Sequence, residues 1–479
     1  MELRNLSKAI QFIADFIPEA MTETKTPGCS IALINDSKLI YEDGFGWRDL
    51  EESLPATPDT LYGIGSCTKA FVATAILLLA EQSKLSLDDP ADRYVPFKLH
   101  TSKGSITIHH LLTHSSGLPT LSTSELLIQK GLGMQVVPPL ASSNDFYRWV
   151  NGAQAEIASE PGKRFFYSNE SYRMLGHIVQ VVANMPFHEF VTKNILDPLG
   201  MTRSTFVRSC YERENDRMQP YFSKSDGSIA RSTFPYPDVL SNPEFSFMLA
   251  AGGLISSARD MTKFLAANMP NVQNALLMPA DKNILLSDQS IMLMQIPHVV
   301  KPDSYYGKNG YGYGWTITDD FLGMPMIAHG GSIEVSTAHV AFLPQKGVGA
   351  VILANSSGMS HAAIIEGIFA SLLGLDPFEV ITPLRIKKGM CSLCGSYESY
   401  RGAAKARVFC KEGMLYLEQK DGLQDSTAPL IPEGDSTKYD RFFILTDGAR
   451  EPVEFRRIRD ETHDGFDLFV ERYRYHKII

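Results

Sequence analysis

Gly63-Ile64-Gly65-Ser66-Cys67-Thr68-Lys69 runs directly into the apolar stretch 70–80. Glycines ahead of a long apolar run read as a turn entering a helix. Ser66 then falls at the helix N-terminus, and Lys69 lies one turn on, facing the same side. Ser66 is the only serine of the chain with a lysine three residues later. A hydroxyl beside an amine is a nucleophile beside a base, yet such a pair also fits a solvated helix face, and chance supplies the spacing about once or twice in a chain of this size. What lies downstream decides between the two.

Two further segments follow in order, Pro161-Gly162-Lys163-Arg164-Phe165-Phe166-Tyr167-Ser168-Asn169 and, between apolar strand-like stretches, Ala328-His329-Gly330-Gly331-Ser332. With these three segments the chain resembles the serine β-lactamase and penicillin-binding-protein superfamily, whose SxxK, YxN and KTG-like elements line one cleft. HxG in place of KTG, and YxN in place of SDN, make the resemblance one to the class C-like branch that also holds family VIII esterases, D-aminopeptidases and CubicO hydrolases. It covers about the first 375 residues. Pro27-Gly28-Cys29-Ser30-Ile31-Ala32 and Asp43-Gly44-Phe45-Gly46 are similar to the family's opening hairpin, and Leu111-Leu112-Thr113-His114-Ser115-Ser116-Gly117-Leu118-Pro119 to its LLTHTSGL segment. Pro198-Leu199-Gly200-Met201 and Ala251-Gly252-Gly253-Leu254-Ile255-Ser256-Ser257 match as well.

The resemblance implies a serine hydrolase that forms an acyl-enzyme on Ser66 and cleaves an ester or amide, without cofactor or metal. Lys69 and Tyr167 would shuttle the hydroxyl proton, and Asn169 would hold Lys69 and the substrate. A serine hydroxyl needs such help, and either a neutral lysine or a tyrosinate can give it once its pKa is lowered, so the identity of the base stays open. The N–H groups of Ser66 and Ser332 would face the oxyanion, each such donor being worth ~3 kcal/mol of barrier. Gly330 and Gly331 would let the backbone come close. His329 stands at the family's lysine position, where a cation or donor can face Tyr167 or a substrate carboxylate, or where a buried histidine can serve structure alone. Acyl transfer or peptide macrocyclisation would use the same residues, and an acylated penicillin-recognising module without turnover is a third reading. The substrate class, small molecule or peptide, is left open.

Composition bounds the rest. The 479 residues are 44% apolar and 10% aromatic, enough for a large core and a smaller one. A net charge of −9 without Lys/Arg clusters among aromatics argues against nucleic acid. Residues 1–21 space Ile10, Ile13, Phe16 and Ile17 at helical intervals among charges, unlike a signal peptide, and the run 70–80 is too short to cross a bilayer. The expectation is a soluble cytoplasmic protein without membrane partners. Six scattered cysteines read as reduced thiols. Cys391-Ser392-Leu393-Cys394 has zinc-knuckle spacing, but only Cys410 lies near, so the pair is expected at the start of a strand. His110 and His114, four apart, could share a helix face, with packing and hydrogen bonding as their expected role. Gly310-Tyr311-Gly312-Tyr313-Gly314-Trp315 lacks the strand-turn-helix setting of a nucleotide loop and reads as an aromatic lining or strand edge.

Periodicity predicts a hairpin over 30–47, helices over 106–112, 172–182, 186–195 and 257–268, strands over 314–318, 326–329, 337–343 and 349–355, and a helix over 362–373. Strands, an all-helical region, then strands again describe an α+β fold: a β-lactamase/transpeptidase-like antiparallel sheet flanked by helices, with the site where sheet and helices meet. Stretches 120–145 and 209–242 read as long loops that shape the cleft. Beyond 378 the pattern turns to short alternating runs (406–410, 414–419, 442–445, 452–458, 466–470) punctuated by turns. The domains expected are therefore 1–378, the hydrolase, and 384–479, a small β-barrel. Cys394-Gly395-Ser396-Tyr397-Glu398 resembles the start of lipocalin-like domains attached to some superfamily members. Covering the cleft and building a homo-oligomer interface are the two roles open to it.

Overall fold

Gly28–Asn35 is buried along almost its whole length, as the near-continuous apolar run GCSIALIN requires of a strand covered on both faces. It pairs antiparallel with Lys38–Asp49 on one side and Val348–Ala354 on the other, Ile31 facing Ile352. N-terminal and C-terminal strands thus share one sheet. Its nine strands lie in the order Leu54–Pro55, Lys38–Asp49, Gly28–Asn35, Val348–Ala354, Ser336–Leu343, Met324–Ile333, Thr316–Phe321, Gly307–Tyr311, Val299–Ser304. The computed structural model describes residues 3–102, 104–135, 140–224, 226–233, 241–269, 285–411, 413–420, 425–433, 440–446, 448–459 and 464–478. The chain divides into two compact units, Met1–Leu373 and Gly374–Ile479.

In the first unit, helix Leu3–Thr24 buries Ala9, Ile13, Phe16, Ile17 and Ala20 along one stripe and packs against helix His361–Leu372. Helix Ala258–Ala267 covers strands Gly28–Asn35 and Val348–Ala354. The helical region between the two groups of strands centres on helix Thr68–Glu81, which is buried on nearly every side and touches helix Asn169–Ala183. No described helix is long and apolar enough to cross a membrane.

Several expectations are corrected. The stretch 120–145 is not one loop: it holds helix Thr123–Gly131, and helix Ser143–Asn151 starts near its end. The cause is tertiary, because Thr123 is gripped by Glu170 and Arg173 of helix Asn169–Ala183. The stretch 209–242 carries helix Arg208–Arg213 and a hairpin of Tyr221–Ser223 with Ile229–Arg231, while residues 234–240 lie outside the described ones. Strand Val299–Ser304 has no counterpart in the sequence pattern, since lysine, proline and aspartate interrupt its alternation, and Gly307–Tyr311 is matched only at its end, where Gly310 and Tyr311 read as a strand edge. Cys391 lies in the last turn of helix Thr382–Leu393 rather than at the start of a strand, and Cys394 is its C-cap, directly before strand Gly395–Glu398.

The second unit is a nine-stranded antiparallel sheet in the order Asp425–Pro429, Met414–Lys420, Lys405–Lys411, Gly395–Glu398, Tyr473–Lys477, Asp464–Val470, Ala449–Arg459, Arg441–Thr446, Ile431–Pro432. The two strands at the ends of this row are separated along the chain by Leu430 alone, so the chain bends from one edge to the other and the sheet is a nearly closed barrel. Its inside is filled by Tyr397, Val408, Leu417, Phe455, Leu468 and neighbouring apolar side chains.

Candidate active site

Ser66 sits in a 3₁₀ turn, Gly65–Cys67, that leads into helix Thr68–Glu81, so the helix begins two residues later than its sequence suggests. The first bond of the turn runs from Cys67 N–H to Ile64 O at 3.2 Å. The Ser66 N–H therefore precedes the hydrogen-bonded ladder, where donors lack helical acceptors. The turn docks on strand Met324–Ile333. That strand's ladder with Thr316–Phe321 ends at the pair Ala328 and Thr316, which leaves residues 329–333 without a strand neighbour on this side. Contact here is backbone to backbone. Gly65 has φ +52, and a Cβ on it would stand 2.2 Å from Ser332 N. A Cβ on Gly331 would stand 2.0 Å from Ile64 O. These two glycines are what the approach requires, whereas at Gly330 the nearest atom to an added Cβ is 3.3 Å away on the His339 side chain.

Lys69 Nζ lies 3.0 Å from Ser66 Oγ, 2.8 Å from Asn169 Oδ1 and 2.6 Å from Ala251 O. Burial, and then the positive Arg173, hold its pKa well below the ordinary lysine value. A neutral amine has two N–H donors and one lone pair. Asn169 Oδ1 and Ala251 O can only accept, so they take both N–H groups, and the lone pair is left facing the Ser66 hydroxyl. Arg173 itself is shifted down to about 10, chiefly by burial, and stays charged at neutral pH. Burial works to raise Glu170, one helical turn before Arg173, but the Arg173 charge and the bonds from Thr123 outweigh it and keep the carboxyl below its usual value.

Tyr167 shares a hydrogen bond with Ser66, and its ring centroid is 4.7 Å from Lys69 Nζ. Burial raises its pKa, so the phenol keeps its proton. His114 grips the chain on both sides of it: His114 O accepts the Phe166 N–H at 2.8 Å, and His114 Nδ1 accepts the Ser168 N–H at 3.1 Å. The His114 and Tyr167 rings lie 4.4 Å apart. His114 stands beyond helix Ile108–Leu112 at φ +56, so it shares no helix face with His110, which instead caps that helix in a reciprocal pair with Thr107.

His329 is buried and its pKa is lowered to about 3, first by burial and then by Lys69. Its Nδ1–H donates to Gly330 O at 2.6 Å, and Nε2 accepts from Tyr311 Oη–H at 3.0 Å. Of the readings open for 329, this arrangement is that of a buried ring with both nitrogens engaged. A lysine that the sequence did not single out, Lys301, enters from the edge strand Val299–Ser304. Its Nζ donates to Thr316 Oγ1 at 2.9 Å, and burial lowers its pKa.

Two cavities open from Ser66 and Ser332. The first, about 380 Å³, is lined on one side by Leu127 and Ile128 and also by Asn169, Met248 and Ile333. The second, about 580 Å³, is lined by Tyr167, Lys301, Thr316 and His339 and holds no carboxylate. Ser66, Lys69, Tyr167, Asn169, His329, Gly331 and Ser332, far apart in the chain, thus meet in one cleft. Sequence reasoning missed the Ala251 carbonyl, Lys301 and the Glu170/Arg173 pair. The i,i+3 spacing of Glu170 and Arg173 on the helix that starts at Asn169 was the one signal that could have exposed them. Among the described residues no group of three or more His, Cys, Asp or Glu is placed to hold a metal ion.

Comparison with known proteins agrees with this geometry. Residues 13–372 match the Beta-lactamase family and residues 377–476 the Pab87 octamerisation domain. The structure is similar to that of the octameric penicillin-binding protein homologue from Pyrococcus abyssi, with a TM-score of 0.84 and 34% identity, over 97% of this chain and 99% of that one. A penicillin binding protein from Bacillus halodurans aligns over 75% of this chain and 99% of its own, with a TM-score of 0.57 and 26% identity. Protein flp of Staphylococcus aureus (strain COL) is 28% identical over 362 residues, 74% of this chain, and the chain spans 65% of its length. With a match over most of its length and the family's motif residues gathered in one cleft, the chain belongs to the beta-lactamase family.

Proposed function

We propose that the protein is a serine hydrolase of the class C-like branch that forms an acyl-enzyme on Ser66 and cleaves an ester or amide. The observation that carries this reading is the set of three contacts of Lys69 Nζ, which leaves a lone pair for the Ser66 hydroxyl proton. Lys69 is then the base of acylation and Tyr167, which keeps its proton, the donor to the leaving group. The N–H groups of Ser66 and Ser332 bind the oxyanion, and Asn169 orients Lys69. Water resolves the ester by the reverse proton path.

The test is covalent labelling with a fluorophosphonate, followed by peptide mass spectrometry. The adduct is expected on the peptide containing Ser66, and Ser66→Ala should lose both label and turnover. An adduct elsewhere, or full activity in the Ala variant, rejects the mechanism.

We further propose that residues 377–476 assemble the chain into a homo-oligomer, the reading supported by their match to an octamerisation domain. The lipocalin-like comparison is kept only for the topology of consecutive antiparallel strands. Sedimentation of the full chain should give several protomers, and a monomer at micromolar concentration counts against it.

A further inference from the structure

Tyr167 and Asn169 are two residues apart, yet they line different cavities: Asn169 the one with Leu127 and Ile128, Tyr167 the one with Lys301. The chemistry gives these sides different roles. As the Ser66 Oγ–carbon bond forms, the Oγ proton passes to Lys69. The bond from that carbon to the leaving oxygen or nitrogen breaks, and the leaving atom takes the Tyr167 phenol proton, which is replaced by the one Lys69 received. A leaving atom must be within reach of that phenol, so the leaving group departs into the Lys301 cavity and the acyl group occupies the other.

The acyl cavity, about 380 Å³, has an apolar wall of Leu127, Ile128, Met248, Leu249 and Ile333, while Ser124, Glu125, Arg173 and Glu334 line other parts of it. Met248, Leu249 and Ile333 are buried parts of the core, whereas Leu127 and Ile128 are half-buried on helix Thr123–Gly131. This helix is fastened to the catalytic groups. Glu170 Oε1 accepts from Thr123 N–H at 3.1 Å and from its hydroxyl at 2.6 Å, and Arg173 donates to Thr123 Oγ1 and, at 2.9 Å, to Ser124 Oγ. Both belong to the helix whose first residue, Asn169, holds Lys69.

Resting on the acyl-enzyme reading above, we infer that helix Thr123–Gly131 builds an acyl-group subsite and that the preferred substrates carry an apolar acyl chain or side chain of medium length, with Leu127 and Ile128 setting that length. Burial of each methylene there should raise kcat/KM roughly fourfold until the cavity is full.

The experiment measures kcat/KM of the full chain on p-nitrophenyl acetate, butyrate, hexanoate and octanoate. The hexanoate to acetate ratio is expected on the order of 10², to fall at least tenfold in Ile128→Phe and Leu127→Phe, and to persist in Lys301→Met. Fluorophosphonate labelling of Ser66 in each variant shows that the site is still formed. A flat series with Ser66 labelled, or a ratio that responds to Lys301→Met and not to Ile128→Phe, overturns the subsite and leaves the hydrolase reading standing. No labelling and no turnover of any ester overturns both.

Discussion

Lys69 is buried at the centre of the site with three contacts to its ammonium position and no carboxylate hydrogen-bonded to it among the described residues. Its low pKa has the sign a base needs, since the neutral form persists below the ordinary lysine range and acylation fails as pH falls through the shifted value. Arg173 is one cause of that shift. Arg173→Gln removes a positive neighbour, so Lys69 should hold its proton to higher pH and the acid limb of the kcat/KM profile should move upward, whereas Arg173→Lys should leave the limb near its original place. Lys69→Ala and Tyr167→Phe should each cost on the order of 10²-fold or more in rate. Their effects should not multiply, because they serve one proton path; independent losses in the double variant would separate them. His114 acts through Tyr167. Asparagine tolerates φ +56 and offers an oxygen to the Ser168 N–H, so His114→Asn should keep more kcat than His114→Leu, which does neither. Equal kcat in the two variants would deny His114 that positioning role.

At the scale of elements, the site is a turn pressed against the part of a strand that has a neighbouring strand on one side only. Alternation and apolar runs announced the strands Ser336–Leu343 and Val348–Ala354 and helix Ala258–Ala267, because each buries a regular face. They did not announce helix Thr123–Gly131, whose apolar Leu127 and Ile128 are only half-buried and line a cavity, and whose start is fixed by Glu170 and Arg173, about fifty residues away in sequence. The close approach itself rests on Gly65 and Gly331. Gly331→Ala would force its Cβ to within 2.0 Å of Ile64 O, so the turn must back away from the strand and misplace an oxyanion donor. Activity should fall by about 10²-fold or more, the value of one such donor, while thermal melting followed by circular dichroism should still show a cooperatively folded chain. A melting point that collapses along with the activity would make the glycine a fold requirement instead.

At the scale of the whole molecule, two units carry separate cores. Residues 1–376 produced alone are expected to fold and to keep Ser66 labelling, while the assembly state or the preference for substrate size changes; a truncated chain that cannot fold would place the barrel within the main core. The first unit also carries a buried charge-sensitive set. His329 and His361 are held to about 3, both chiefly by burial, and so stay neutral in the folded chain. The unfolded chain binds these protons from about pH 6.5 downward. Between that value and about 3 the unfolded state binds more protons, so stability is lost as pH falls, on the order of 1.4 kcal/mol per pH unit for each such group. Thermal melting from pH 7 to pH 4 should show the decline, and His361→Asn, which removes one proton acceptor, should make it shallower.

Ser66 and Lys69 were legible as a nucleophile and an amine one helical turn apart, whereas Tyr167, Asn169 and the segment at 329–332 were legible only through the resemblance of three ordered motifs to the family. Local periodicity also gave the α+β order and the β character of the C-terminal stretch. Only the folded chain decided the charge and company of these groups. At His329, left open in the sequence between a cation, a donor and a structural histidine, burial lowers the imidazole pKa to about 3, and Tyr311 and Gly330 O occupy its nitrogens. The lowered pKa of Lys69 follows from desolvation and from Arg173 on helix Asn169–Ala183. Spacing along the chain is written in the sequence, whereas burial and the field of distant charges exist only after packing has brought those residues together.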